Sequence, residues 1–141
     1  MNYNTVTTIW KENMQFESDN PSKHTLLIDA GEENGGESKG HRPKALMLSS
    51  LAGCSGLDIV SLLEKMRATV TDFKIEVTAT LTDEHPKYYN KVKVDYHFTG
   101  ENLKKDKIKK AVDLSVEKYC GVMEMFRQFA TVTTEIFYYE V

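Results

Sequence analysis

The stretch Pro43 to Arg67, PKALMLSSLAGCSGLDIVSLLEKMR, constrains this chain more than any other. It opens with proline, the residue best tolerated at a first helical position. Leu48, Leu51, Ala52, Ile59, Leu62, Leu63 and Met66 recur at the spacing of one helical face. A second apolar set, Leu46, Gly53, Leu57 and Val60, points elsewhere. A helix that is apolar on more than one side belongs inside a fold, and this one would run roughly 37 Å. Its middle holds Gly53-Cys54-Ser55-Gly56. Each glycine costs about 1 kcal/mol of helix stability relative to alanine. A close backbone approach, or room for a ligand beside Cys54, would offset that cost.

The rest of the chain reads as cover for this helix. Tyr3–Trp10, Met14–Ser18 and His24–Ala30 carry strand patterns separated by turns, an antiparallel meander. Gly31–Arg42 is a glycine-rich, charged loop, expected to be a mobile surface segment. Its GEENGG string starts like a phosphate-binding loop, but Glu37-Ser38 stands where Lys-Ser/Thr is needed, so that reading is rejected. After the helix, Val70–Thr82 and Lys91–Thr99 alternate strictly and form a long hairpin with one buried face. Asn102 is placed to cap a helix from about Leu103 to Tyr119, with Ile108, Ala111, Val112 and Ser115 inward. The lysines at 104, 105, 107, 109 and 110 are expected to face water. A short helix over Val122–Phe129 and a last strand over Thr131–Val141 complete the order βββ-α-ββ-αα-β, one α+β domain spanning 1–141.

Length fits a single domain at 141 residues, and a net charge of −3 leaves no electrostatic footprint for nucleic acid. The N-terminus lacks a basic region before an apolar run, so the expectation is a cytoplasmic protein with no membrane partner. Thiols stay reduced in that compartment, and Cys54 and Cys120 are then either inert packing residues or a redox pair. A metal site is not expected, since His24, His41, His85 and His97 are scattered and no CxxC occurs. Cys120 sits just before a short helix, where the dipole favours the thiolate.

The residues Pro43-Lys44-Ala45-Leu46, Ala52-Gly53-Cys54-Ser55 and Asp58-Ile59-Val60, with Tyr119-Cys120-Gly121-Val122 at the second cysteine, resemble the OsmC and organic-hydroperoxide-resistance (Ohr) family. So does the order of elements. The resemblance implies an intertwined homodimer, with the long helices of two chains packed inside antiparallel sheets. It also implies a thiol peroxidase of oxidative-stress defence with peroxiredoxin-like activity. By this resemblance Cys54 attacks a small organic peroxide, Cys120 resolves the sulfenic acid as a disulfide, and a cellular dithiol restores the pair without a cofactor. Leu51, Leu57, Met123 and Phe126 would offer an apolar pocket that favours organic peroxides. One departure stands out. The family activates its thiolate with an arginine held by a glutamate at the helix start, whereas Lys44 occupies that position here and the meander has no arginine. Arg42 and Lys44 are the candidate cations, with Arg42 otherwise a solvated loop residue. The alternative is a non-catalytic or weakly catalytic dimer that binds an apolar ligand or senses redox state. A purely structural dimer fits the polar groups around Cys54 less well.

Overall fold

The computed structural model describes residues 2–141, which divide into two compact units, one up to Met47 and one from Leu48 to Val141. The first unit is a three-stranded antiparallel meander of β1 (Thr8–Glu12), β2 (Gln15–Ser18) and β3 (Leu26–Ile28). β1 starts five residues later than the alternation suggests and runs on through Glu12. The turn fixes this register: Asn13 takes a left-handed φ of 48°, which asparagine tolerates, and Trp10 then pairs with Phe16. β3 ends at Ile28 because the next residue has another task. Asp29 is buried, and its carboxylate accepts the backbone N–H groups of Ala30, Glu37 and Lys39 at 2.8, 3.2 and 3.1 Å. Burial alone would raise its pKa; the donors from Lys39, Glu37 and Ala30 prevail and hold it below the ordinary carboxylate value.

The glycine-rich loop is thus tied to the meander by side chains: Asp29 holds its backbone, Asn13 Nδ2 donates to the Gly35 carbonyl and Gln15 Nε2 donates to Glu37 Oε2. It makes a 3₁₀ turn at Glu32–Asn34 that closes on Gly35 in the left-handed region, φ 87°. Gly36 packs so closely on the Ala30 carbonyl that a Cβ would collide with it.

The long helix α1 (Pro43–Lys65) begins in the first unit and continues through the second. In the second unit β4 (Asp72–Leu81) and β5 (Tyr89–Gly100) form the expected antiparallel hairpin. Then α2 (Lys105–Leu114), a π-helical turn (Ser115–Tyr119) and α3 (Gly121–Arg127) lead to β6 (Thr131–Glu140). This helical crossover makes the β5–β6 pair parallel, so the sheet is mixed. Val92, Val94, Tyr96 and Phe98 line its inner face. Ile59 and Leu63 of α1, Ile108 and Val112 of α2, and Met123 and Phe126 of α3 complete one buried cluster with them.

Three local expectations change. Asn102 does not cap α2: it adopts φ 50° in the preceding turn, and Lys104 is the cap position. The predicted 103–119 helix breaks at Ser115 into a π turn, and α3 starts one residue early because Cys120 caps it. The α2 lysines are not simply solvated. Lys107 and Lys104 donate to the carbonyls of Met66 and Arg67 just beyond α1, at 2.9 and 3.4 Å, neutralising orphan acceptors at a helix C-terminus. Lys105 lies over the Tyr138 ring and Lys109 pairs with Asp113.

Within the single chain α1 is not buried all round. Leu51, Ser55, Ile59 and Leu63 form the buried stripe, while Leu57 and Val60 are 76% and 56% exposed. The two glycines separate in the same way. A Cβ on Gly56 would press on Ile75 Cδ1 of β4 at 3.2 Å, a close approach that explains that glycine. A Cβ on Gly53 would meet nothing within 4 Å.

Candidate functional site

Cys54 lies half-buried on α1, and Cys120 lies buried at the junction between the π turn and α3. Both are free thiols, and Cys54 lies close enough to influence the ionisation of Cys120. The local sequence explains each placement. Cys54 falls one position before the buried stripe residue Ser55. Cys120 takes the extended backbone of an N-cap, φ −78° and ψ 101°, and its sulfur accepts the Met123 N–H at 3.3 Å.

A capping thiol ought to ionise easily, but this one does the reverse. Its pKa is pushed up to about 11. Burial is the largest cause, the Met123 N–H opposes it, and the neighbouring Cys54 and Asp58 raise it further. Desolvation at 3% exposure outweighs the end of a helix only seven residues long. Cys120 thus keeps its proton well above neutral pH.

Beneath the pair lies a polar chain that the sequence reading did not single out. Ser115 Oγ donates to Asp58 Oδ2 at 3.2 Å and approaches the Ser55 carbonyl at 3.3 Å. Ser55 Oγ lies 2.8 Å from Ser115 Oγ and 2.7 Å from the Tyr96 hydroxyl. A carboxylate only accepts, and each hydroxyl has one proton, so the order of donation is Tyr96 to Ser55 to Ser115 to Asp58. Ser55, Tyr96 and Ser115 are fully buried. Burial first, with the charges of Cys120 and Asp58, pushes the Tyr96 pKa up to about 12 against the Ser55 bond. Asp58 was findable, four residues after Cys54 on the same helical face. Ser115 and Tyr96 look like ordinary inward residues of a helix and a strand.

The remaining expected site residues are placed differently. Leu51, Met123 and Phe126 are fully buried core side chains. Leu57 lines an open groove of about 390 Å³ with Asp58, Ser61, Leu62, Lys65 and Tyr119. Arg42 and Lys44 belong to the first unit. Arg42 is ion-paired with Glu33 at 3.7 Å, both side chains about 60% exposed, and its carbonyl accepts the Leu46 N–H at the start of α1.

The raised pKa values predict alkaline weakness. Below about pH 9 folded and unfolded chains both hold the Cys120 proton, and the full contribution is present. As pH rises toward 11 the unfolded thiol ionises and the native one does not, so that stability is lost; Tyr96 extends the loss upward. Urea midpoints are expected to fall between pH 8 and pH 10.5 in the wild type and less steeply in Cys120→Ser. Equal slopes would count against the assignment.

The sequence model of the OsmC-like protein family matches residues 35–135. The chain is 34% identical over 124 residues to Protein YhfA of Escherichia coli K12, covering 88% of this chain and 90% of that protein. Among solved structures, a hypothetical protein from Aquifex aeolicus VF5 superposes with TM-score 0.81 at 28% identity, covering 98% of each chain. An organic hydroperoxide resistance protein OsmC from Legionella pneumophila has the same fold, with TM-score 0.71 at 15% identity over 97% of this chain and 98% of that one.

Proposed function

The chain belongs to the OsmC-like protein family, and from that premise we propose that it is a thiol-dependent peroxidase acting on small organic hydroperoxides. The observation that carries the reading is the asymmetric thiol pair: a half-buried Cys54 near a buried Cys120 that holds its proton. The Cys54 thiolate attacks the distal peroxide oxygen. An S–O bond forms, the O–O bond breaks, and the departing alkoxide takes the proton that Cys54 released on ionising, becoming the alcohol. Cys120 then attacks the Cys54 sulfenic sulfur; the S–S bond forms, the S–O bond breaks, and hydroxide takes the Cys120 proton as water. A dithiol reduces the disulfide and resets the site. A resolving thiol that stays protonated until the sulfenic acid exists does not compete for the peroxide.

The working form is a homodimer in this reading. Leu57 and Val60 are too exposed for a finished α1, and the open space over Gly53 is where a second helix would approach. α1 has the length and apolarity of a membrane span. Its inner stripe, however, sits in the core, and Ser55 is committed to Tyr96 and Ser115. A second copy rather than lipid is the cover we assign, in a soluble cytoplasmic protein. Arg42, steadied by Glu33, is the first candidate for the cation that polarises the peroxide, and Lys44 the second.

The test is turnover of an organic hydroperoxide panel and hydrogen peroxide with dithiothreitol as reductant. Organic substrates are expected to react faster. Arg42→Ala is expected to lower kcat/KM at least about tenfold. Absence of turnover on every peroxide would reject the enzyme and favour the apolar-ligand alternative.

A further inference from the structure

Two thiols on different elements react at a rate set by how firmly those elements are held together. Cys54 rides on α1, a continuous helix. Cys120 rides on the end of a π turn, an irregular segment with no ladder of its own to a neighbouring strand. The Cys120 N–H donates to the Ser115 carbonyl at 2.8 Å, so the turn is closed on Ser115. The Ser115 hydroxyl in turn meets α1 at three atoms: Ser55 Oγ, the Ser55 carbonyl and Asp58 Oδ2, at 2.8, 3.3 and 3.2 Å. Two of these belong to the residue adjacent to Cys54. The third belongs to the residue one helical turn beyond it. Ser115 and Ser55 are fully buried, so water does not replace the bonds between them when they break.

We propose that Ser115 and Asp58 are positioning residues for the thiol pair: the buried Ser115 hydroxyl latches the turn that carries Cys120 onto α1 beside Cys54, and thereby sets how readily the disulfide closes. This rests on the thiol pair of the proposed peroxidase, but closure of the disulfide does not require a peroxide. Tyr96 completes the latch by donating to Ser55, which leaves the Ser55 proton for Ser115 and the Ser115 proton for Asp58.

The experiment equilibrates the full-length protein in reduced and oxidised glutathione and measures the Cys54–Cys120 disulfide fraction by alkylation and mass spectrometry. The fraction gives the effective concentration of one thiol at the other. Ser115→Ala is expected to lower it about tenfold, the loss of a buried, charge-assisted hydrogen bond. Asp58→Ala breaks the same link from α1 and is expected to act similarly, so that if one variant does not fold the other decides. Asp58→Asn keeps an acceptor oxygen for Ser115 and is expected to remain within about threefold of wild type, while changing the pH profile of thiol alkylation. Ala111→Gly, in α2, is the control of comparable destabilisation and is expected to leave the equilibrium unchanged. An unchanged equilibrium in a folded Ser115→Ala or Asp58→Ala protein would overturn the latch, as would an equal fall in Ala111→Gly. Lack of peroxide turnover with a latch-dependent equilibrium would instead reject the peroxidase and keep the latch.

Discussion

Replacement of Cys54 by serine is expected to abolish consumption of organic hydroperoxides. An alcohol at neutral pH supplies no anionic nucleophile, and in this reading the remaining thiol is the one that keeps its proton, with a pKa of about 11. Cys120→Ser is expected to behave differently. It leaves the nucleophile intact, so one equivalent of peroxide is consumed and Cys54 stops at the sulfenic acid. Further peroxide carries it to sulfinic acid, an increase of 32 Da over the thiol by mass spectrometry, roughly the mass of two oxygen atoms. Turnover that survives Cys54→Ser would reject the mechanism. Repeated turnover in Cys120→Ser would remove Cys120 from the resolving role.

In the proposed homodimer, Leu57→Asp and Val60→Asp are expected to give monomers or to unfold the protein. Both side chains are largely exposed on the single chain, so aspartate there costs the isolated fold little. Buried against a second α1, the same carboxylate would lose its hydration without a partner, which costs several kcal/mol. An obligate interface of this kind should bury more than about 2,000 Å². Sedimentation velocity at micromolar concentration separates the cases. A wild-type monomer would refute the dimer, and unchanged dimers in both variants would move the interface to another surface.

The sequence reading reached α1 and the β4–β5 hairpin because both are written in local periodicity. Pro43 marks the helix start, and Phe73, Ile75, Val77 and Ala79 mark the inner face of β4. The helix was legible but its surroundings were not: apolarity around α1 predicts cover without saying whether the same chain provides it, and Leu57 lies uncovered here. The failures share a cause. Asp29 organises the 31–40 loop through backbone groups eight and ten residues away, which no pattern of side-chain hydrophobicity encodes. The π turn at Ser115 interrupts a helical stripe that is otherwise continuous in sequence. Such turns recur at functional sites, and here the interruption ends immediately before Cys120.

The ionisation of Cys120 shows how magnitudes reverse a qualitative rule. A helix N-terminus lowers a thiol pKa, and the Met123 N–H does act in that direction. Burial, the Cys54 neighbour and the Asp58 carboxylate act the other way and prevail. The sequence placed the two cysteines at a helix middle and a helix junction. The hydrogen bond between Ser115 and Asp58, at 3.2 Å, is not written in any sequence pattern.

The measurement that bears most directly on the account is a stoichiometric reaction. Reduced protein is mixed with one equivalent of an organic hydroperoxide, quenched by alkylation at successive times, and digested for mass spectrometry. The account predicts Cys54 sulfenic acid first, then a Cys54–Cys120 disulfide, with one equivalent of alcohol released. Full recovery of both cysteines as alkylated thiols, with the hydroperoxide unconsumed, would contradict it.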